Sequence, residues 1–146
     1  MLIVSGAAGG ADQAAASAAL AAGGSVHLVL PWLTYEQTWV RSVRSQYYER
    51  VSVEVYDPRL DRAWTESLRT YDPAPERLTC GMFALHARNF GIVANAAAVM
   101  AAAKDSAQGG GTGQGIRIAR GLGIPVIDLW GSENGAALSN ALSPPA

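Results

Sequence analysis

The chain has 146 residues, the size of one ordinary domain built around a single hydrophobic core. Hydrophobic residues make up 49% of it and charged residues only 16%, which excludes a disordered chain. The formal net charge is -1, so no global positive field attracts nucleic acid or an anionic membrane. Phosphate binding, if present, must therefore come from local geometry.

Cysteine usage and the N-terminal residues indicate the compartment. The one cysteine, Cys80, cannot form an internal disulfide or a cysteine-rich zinc site, which favours a reducing cytoplasm. Residues 1–6 lack the basic region of a signal peptide. The apolar run 14–22 is about half the roughly 20 residues of a membrane span. We expect a soluble, cytoplasmic protein with no membrane partner.

The first thirty residues predict a βαβ unit. Residues 1–4 form a short apolar strand, and residues 26–30 form a second strand that stops at Pro31. Between them, residues 12–22 are mostly alanine, with Asp12 placed to cap a helix and Gly23 to end it. A helix between two such strands predicts parallel strands with a right-handed crossover.

The middle of the chain predicts further elements in the order helix, strand, helix, helix. Thr34 and Gln37 resemble a capping box, and a helix could run from there to about residue 50. Alternation predicts a strand over 51–55, followed by an Asp57-Pro58 turn. The remaining predicted segments are a short helix over 63–68, a loop over 71–75 and a helix over 81–95.

The last third repeats the strand, glycine and helix order. Residues 97–102 predict a strand, although their alanines could equally continue a helix. A glycine cluster at 109–113 precedes a predicted helix over 114–120 and a strand over 124–129. We therefore predict a single α/β domain over 1–130, with an unassigned insertion at about 34–79 and a flexible tail over 131–146.

Both glycine clusters follow a strand and precede a helix, where ligands bind in parallel α/β sheets. Glycines allow several backbone N–H groups to face one anion, and a helix N-terminus adds its positive dipole end. Thr112 can cap its helix or bond a phosphate oxygen, and Asp12 can be a helix cap or a ligand contact. The alternative for the second cluster is a flexible connection without a ligand.

Several common chemistries have no support in this sequence. No Walker motif occurs, and Leu30-Pro31-Trp32 stands where a dinucleotide-binding fold has an acidic residue. No nucleophile-elbow motif occurs, so a Ser-His-Asp hydrolase is disfavoured. His27, in a buried strand pattern, and His86 share no metal-ligand spacing. We expect no metal and no cofactor; Trp32, which follows a strand on the presumed ligand side, is a candidate ligand contact.

A family resemblance rests on four motifs in order. Together these motifs resemble the SLOG superfamily. They are residues 5–12 (SGAAGGAD), the alanine-rich helix with the strand ending at Pro31, the Arg88-Asn89 pair, and Gly111-Thr112 followed by the segment 123–126 (GIPV). That superfamily includes the DprA and Lonely Guy proteins, and the pattern is most similar to its small single-domain phage and bacterial members.

The resemblance implies a Rossmann-like three-layer sandwich with a mostly parallel sheet, which binds a nucleotide or nucleotide-derived phosphate ligand between two glycine loops. Family members usually begin with one more strand, so this sheet is expected to lack the usual first strand, and a homodimer could complete it. The implied ligand-binding residues are Ser5, Gly6, Ala7, Gly9, Gly10, Asp12, Trp32, Arg88, Asn89, Gly109, Gly110, Gly111, Thr112 and Gly113.

Three functions follow as hypotheses. The first is a sensor or binding protein for a small nucleotide-derived ligand. The second is a nucleotide hydrolase acting on an N-glycosidic or phosphate bond, with Asp12 as acid or base. Gln114 stands near the place of the Lonely Guy catalytic glutamate, and a neutral amide cannot be a general base. The third is DprA-like binding of single-stranded DNA, for which few basic residues flank the second loop.

Overall fold

A computed structural model describes residues 1–72, 74–101 and 110–128, the side chains of 110 and 128 excepted. The chain divides into two compact units, Met1–Ile92 and Val93–Ala146. Each unit contains a parallel sheet with helical connections, which confirms the predicted α/β, Rossmann-like class. The predicted tail after residue 130 and Gly109 lie outside the described residues.

The first unit begins with the predicted βαβ motif. Strand β1 (Leu2–Ser5) pairs in parallel with β2 (Ser25–Leu30), and helix α1 (Ala11–Ala21) connects them. Gly23 has a positive φ of 87° and donates its N–H to the Leu20 carbonyl, which ends the helix as predicted. Asp12 is not the cap: Gly10 occupies the N-cap position and Asp12 lies in the first turn.

A second crossover extends the sheet with helix α2 (Gln37–Gln46) and strand β3 (Val51–Val55), giving the strand order β1-β2-β3. The capping-box prediction is wrong, because the N-cap residue is Glu36, in a left-handed conformation, and no side chain caps the helix. The helix also ends earlier than predicted, and a 3₁₀ turn (Tyr48–Arg50) leads into β3.

Helices α1 and α2 pack on one face of the sheet. Their buried side chains form one cluster with alternate residues of β2 and with Val51; the members include Ala16, Ala19, Leu20, Val26, Leu28, Leu30, Val40 and Val43. Because strand residues alternate between faces, His27 lies on the other face. Its side chain is 29% exposed, which contradicts the buried position expected from the strand pattern.

Two more helices complete the first unit: α3 (Arg62–Tyr71) and α4 (Cys80–Val93), with a short 3₁₀ turn (Pro75–Arg77) between them. They pack through a second small cluster, formed by Tyr56, Leu68 and Ala87 with Trp64, Leu78, Phe83 and Ala84 around it. The insertion over 34–79, unassigned from the sequence, therefore contributes the third strand of the sheet and two packed helices, α2 and α3.

The second unit is smaller. Strand β4 (Val99–Ala101) pairs in parallel with β5 (Val126–Asp128), and helix α5 (Gly110–Gly121) lies between them in sequence. Helix α5 begins four residues before the predicted start at Gln114, so Gly110 to Gly113 form its first turn.

Candidate anion-binding site

The loop after β1 is held closed by its own hydrogen bonds. Ser5, 5% exposed, accepts the Ala7 N–H at 3.2 Å and donates to the Asp12 carbonyl at 3.4 Å. Ala7 is fully buried, with a positive φ of 62°. The Gln13 amide donates to the Ala7 carbonyl at 3.1 Å. These bonds fix the path from the carboxyl end of β1 to the start of α1.

Arg88, on α4, inserts its guanidinium at this edge of the sheet. Its Nη1 donates to the Gly6 carbonyl at 2.6 Å and to the Val29 carbonyl at 2.7 Å, which joins the ends of β1 and β2. Its Nε donates to Asn89 Oδ1 at 3.1 Å. Arg88 is only 5% exposed, so this cation sits inside the unit.

The absence of a Cβ at Gly6 makes this contact possible. A Cβ built there would lie 2.6 Å from both Cζ and Nη1 of Arg88, which is closer than real contacts allow. Glycine at position 6 therefore allows the Arg88 cation to come close to the backbone. Glycine has this role wherever another group must approach the chain closely.

The Arg88 charge lacks an ion-pair partner within the described residues. Burial lowers the pKa of the Arg88 guanidinium, whereas the neighbouring Tyr35 and Asp12 side chains raise it. An arginine stays protonated in proteins, so the site retains a positive charge, which carbonyl dipoles, the Tyr35 side chain and the Asp12 carboxylate partly offset.

Tyr35 borders the guanidinium, and Trp32 in turn packs against Tyr35. Arg88 Cζ lies 5.4 Å from the centroid of the Tyr35 ring, a cation–π contact. Trp32 meets Tyr35 edge to face at a centroid distance of 5.2 Å and is 38% exposed. The sequence singled out Trp32 but not Tyr35, whose position between Trp32 and Arg88 depends on the fold of the segment before α2.

The N-terminus of α1 opens beside this edge. An ideal Cβ at Gly9 or Gly10 meets nothing within 4 Å, so this part of the loop faces open space. Gly10 has a φ of 86°, which favours glycine. The first N–H groups of a helix have no carbonyl partner within the helix, and they favour an anion.

The structure brings the predicted residues of the first glycine loop together with the Arg88-Asn89 pair. Of the second predicted cluster, Gly110, Gly111 and Gly113 lie in the second unit, in the first turn of α5, where Thr112 is exposed and Gly113 is buried. Gln114 is fully buried. That both glycine clusters share one ligand remains a prediction.

No group of three or more metal-ligating side chains occurs among the described residues. A groove of about 240 Å³ lies elsewhere, between α2 and β3, lined by Leu30, Val40 and Val53 together with Arg41 and Arg44. None of the helices described is both long enough and apolar enough to span a bilayer.

Comparison with known proteins gives no relative. No protein-family model, curated protein or solved structure matches the chain significantly. Membership of the SLOG superfamily therefore remains a prediction from the sequence motifs.

Proposed function

We propose that the protein binds a nucleotide or nucleotide-derived phosphate ligand at the carboxyl edge of the β1-β2-β3 sheet, as a binding protein or sensor. The observation that supports this most directly is Arg88: a guanidinium buried at the ends of β1 and β2 without a carboxylate partner among the described residues. An unpaired buried charge is costly, and an anionic ligand would offset that cost.

The surroundings of Arg88 favour a phosphate that belongs to a larger molecule. The α1 N-terminus supplies partly unsatisfied N–H groups and a positive dipole end, which suit phosphate oxygens. Trp32 and Tyr35 supply aromatic surface within the same region, which suits a nucleobase. The motifs shared with the SLOG superfamily support the same ligand class.

Thermal denaturation with a nucleotide panel tests the proposal, with adenosine as the phosphate-free control. A phosphate-bearing compound at 100 times its Kd should add about 2.7 kcal/mol of stability. Adenosine should have a much smaller effect, because it lacks the anion. Recovery of the bound nucleotide intact by chromatography would favour binding over hydrolysis.

Gly9 offers a matched pair of variants. A Cβ added at Gly9 meets nothing within 4 Å, and its φ is not positive, so we expect both Gly9→Asp and Gly9→Asn to keep the fold. The two differ in charge but hardly in size. Gly9→Asp should remove the stabilisation by nucleotide through repulsion, and Gly9→Asn should largely keep it. If no phosphate-bearing compound raises the melting temperature, or if both variants respond as wild type, the proposal is wrong.

A further inference from the structure

Three polar side chains form a continuous hydrogen-bonded row on the sheet face opposite α1 and α2. His27, on β2, has Ser52 as its register partner on β3, and Glu54 lies two residues further along β3. The His27 Nδ1 lies 2.7 Å from Ser52 Oγ, and its Nε2 lies 3.0 Å from Glu54 Oε2. Both ring nitrogens are therefore engaged at once.

The Glu54 carboxylate sets the direction of the two hydrogen bonds when the His27 ring is neutral. An ionised carboxylate can only accept, so a neutral ring holds its proton on Nε2 and donates it to Glu54. Nδ1 is then an acceptor, and the Ser52 hydroxyl donates to it. A serine that donates to an imidazole oriented by a carboxylate is the arrangement of an activated nucleophile.

Access to the row is open. Ser52 is exposed, and the side chains of His27 and Glu54 are 29% and 45% exposed. All three residues lie on paired strands, which hold the row more rigidly than a loop would. Parallel sheets usually bury both faces under apolar residues, so a polar row at this place requires an explanation other than packing.

We propose that Ser52, His27 and Glu54 form a second site, in which Ser52 is a nucleophile toward small esters or thioesters. Ser52 Oγ attacks the acyl carbon while its proton passes to His27 Nδ1. The bond from the acyl carbon to the leaving oxygen or sulfur then breaks, and the leaving group takes that proton. Water, deprotonated by His27, cleaves the acyl-serine to release the acid and restore the hydroxyl.

A fluorophosphonate probe tests the nucleophile in the full chain, because Ser52 Oγ displaces fluoride from phosphorus and forms a stable adduct. Intact mass and peptide mapping should find one adduct, at Ser52. Ser52→Ala should abolish labelling, His27→Gln should slow it about 100-fold, and Glu54→Gln should slow it less. Ser45→Ala, at another exposed serine, should label as wild type. Circular dichroism of each variant checks that the fold is kept.

Hydrolysis of an aryl acetate should follow the same order among the variants. The proposal is overturned if wild type forms no adduct, if Ser52→Ala still reacts at the wild-type rate, or if folded His27→Gln labels as fast as wild type. The last result would mean that the row is only a solvated cross-strand network. None of these outcomes depends on whether nucleotides bind.

Discussion

Arg88 and Gly6 are an interdependent pair, 82 positions apart in sequence. The guanidinium donates hydrogen bonds to two backbone carbonyls at the strand ends, which water would otherwise supply. The missing Cβ of Gly6 leaves room for it. Buried carbonyls that lose a donor cost about 1–3 kcal/mol each. The same contact therefore contributes to stability and places a positive charge where the proposed ligand binds.

Gly6→Ala should destabilise the protein, because the added methyl must displace the Arg88 guanidinium from 2.6 Å. Overpacking of this kind costs about 1–3 kcal/mol. Chemical denaturation measures the change in the free energy of unfolding. Gly9→Ala is the control, since its Cβ meets nothing within 4 Å, and it should stay within about 0.5 kcal/mol of wild type. Equal unfolding midpoints for the two variants would contradict the steric account.

At the scale of elements, Arg50 links the 3₁₀ turn before β3 to the end of α1. Its Nη1 donates to the Leu20 carbonyl at 2.9 Å and to the Gly24 carbonyl at 3.0 Å, and its Cζ lies 4.9 Å from the Tyr47 ring centroid. The Leu20 carbonyl, in the last turn of α1, also accepts the Gly23 N–H, and Gly24 lies between α1 and β2. One side chain thus ties the end of α1 and the start of β2 to the turn before β3.

Arg50→Met should lower the free energy of unfolding by about 1–3 kcal/mol, because it keeps the length of the side chain but leaves both carbonyls without this donor. The melting temperature, by circular dichroism, is the readout. Arg44→Met removes an exposed arginine of α2 and should change little. If Arg44→Met lowers the melting temperature as much as Arg50→Met does, the loss of a positive charge, and not the loss of the two hydrogen bonds, explains the effect.

The sequence predicts the elements of this chain better than their ends. Apolar runs that end before glycine or proline located β1 and β2, and alternation before the Asp57-Pro58 turn located β3, because strand patterns and turn residues are local signals. The helix starts were missed where backbone conformation decided them: Glu36 adopts a left-handed conformation, and Gly10 replaces Asp12 as the N-cap. Thr34 and Asp12 are residue types that often cap helices, but neither occupies the N-cap position of its helix.

The candidate site was only partly predictable for a different reason. Glycine loops and an Arg-Asn pair are visible as motifs, but the bonds from Arg88 to Gly6 and Val29 join distant parts of the chain. Likewise, the environment of His27 depends on which β3 residues lie beside it, and the register places Ser52 and Glu54 there. Periodicity along one strand contains no information about its neighbour.

At the scale of the whole molecule, we expect a homodimer formed through the edge of β1. Among the described residues β1 pairs with β2 alone, and Leu2 on that strand is 61% exposed. Within its own sheet the other edge of β1 has no partner, and an apolar strand edge favours pairing with another chain. Light scattering should give twice the chain mass of 15.2 kDa.

Leu2→Lys should shift this protein to the monomer, since a lysine on an edge strand opposes such pairing. Leu60→Lys is the matched control, because Leu60 is 81% exposed and lies in the turn before α3. A wild-type protein of monomeric mass at high concentration, or a dimer that survives Leu2→Lys, would exclude this interface.

Because the strands of the first sheet follow one another in chain order, both crossover helices cover the same face. The opposite face keeps positions 27, 52 and 54 at least partly open to solvent. Substitutions at these three positions should therefore change the free energy of unfolding less than substitutions in the interior. The chemistry of this face can thus be changed without rebuilding the core.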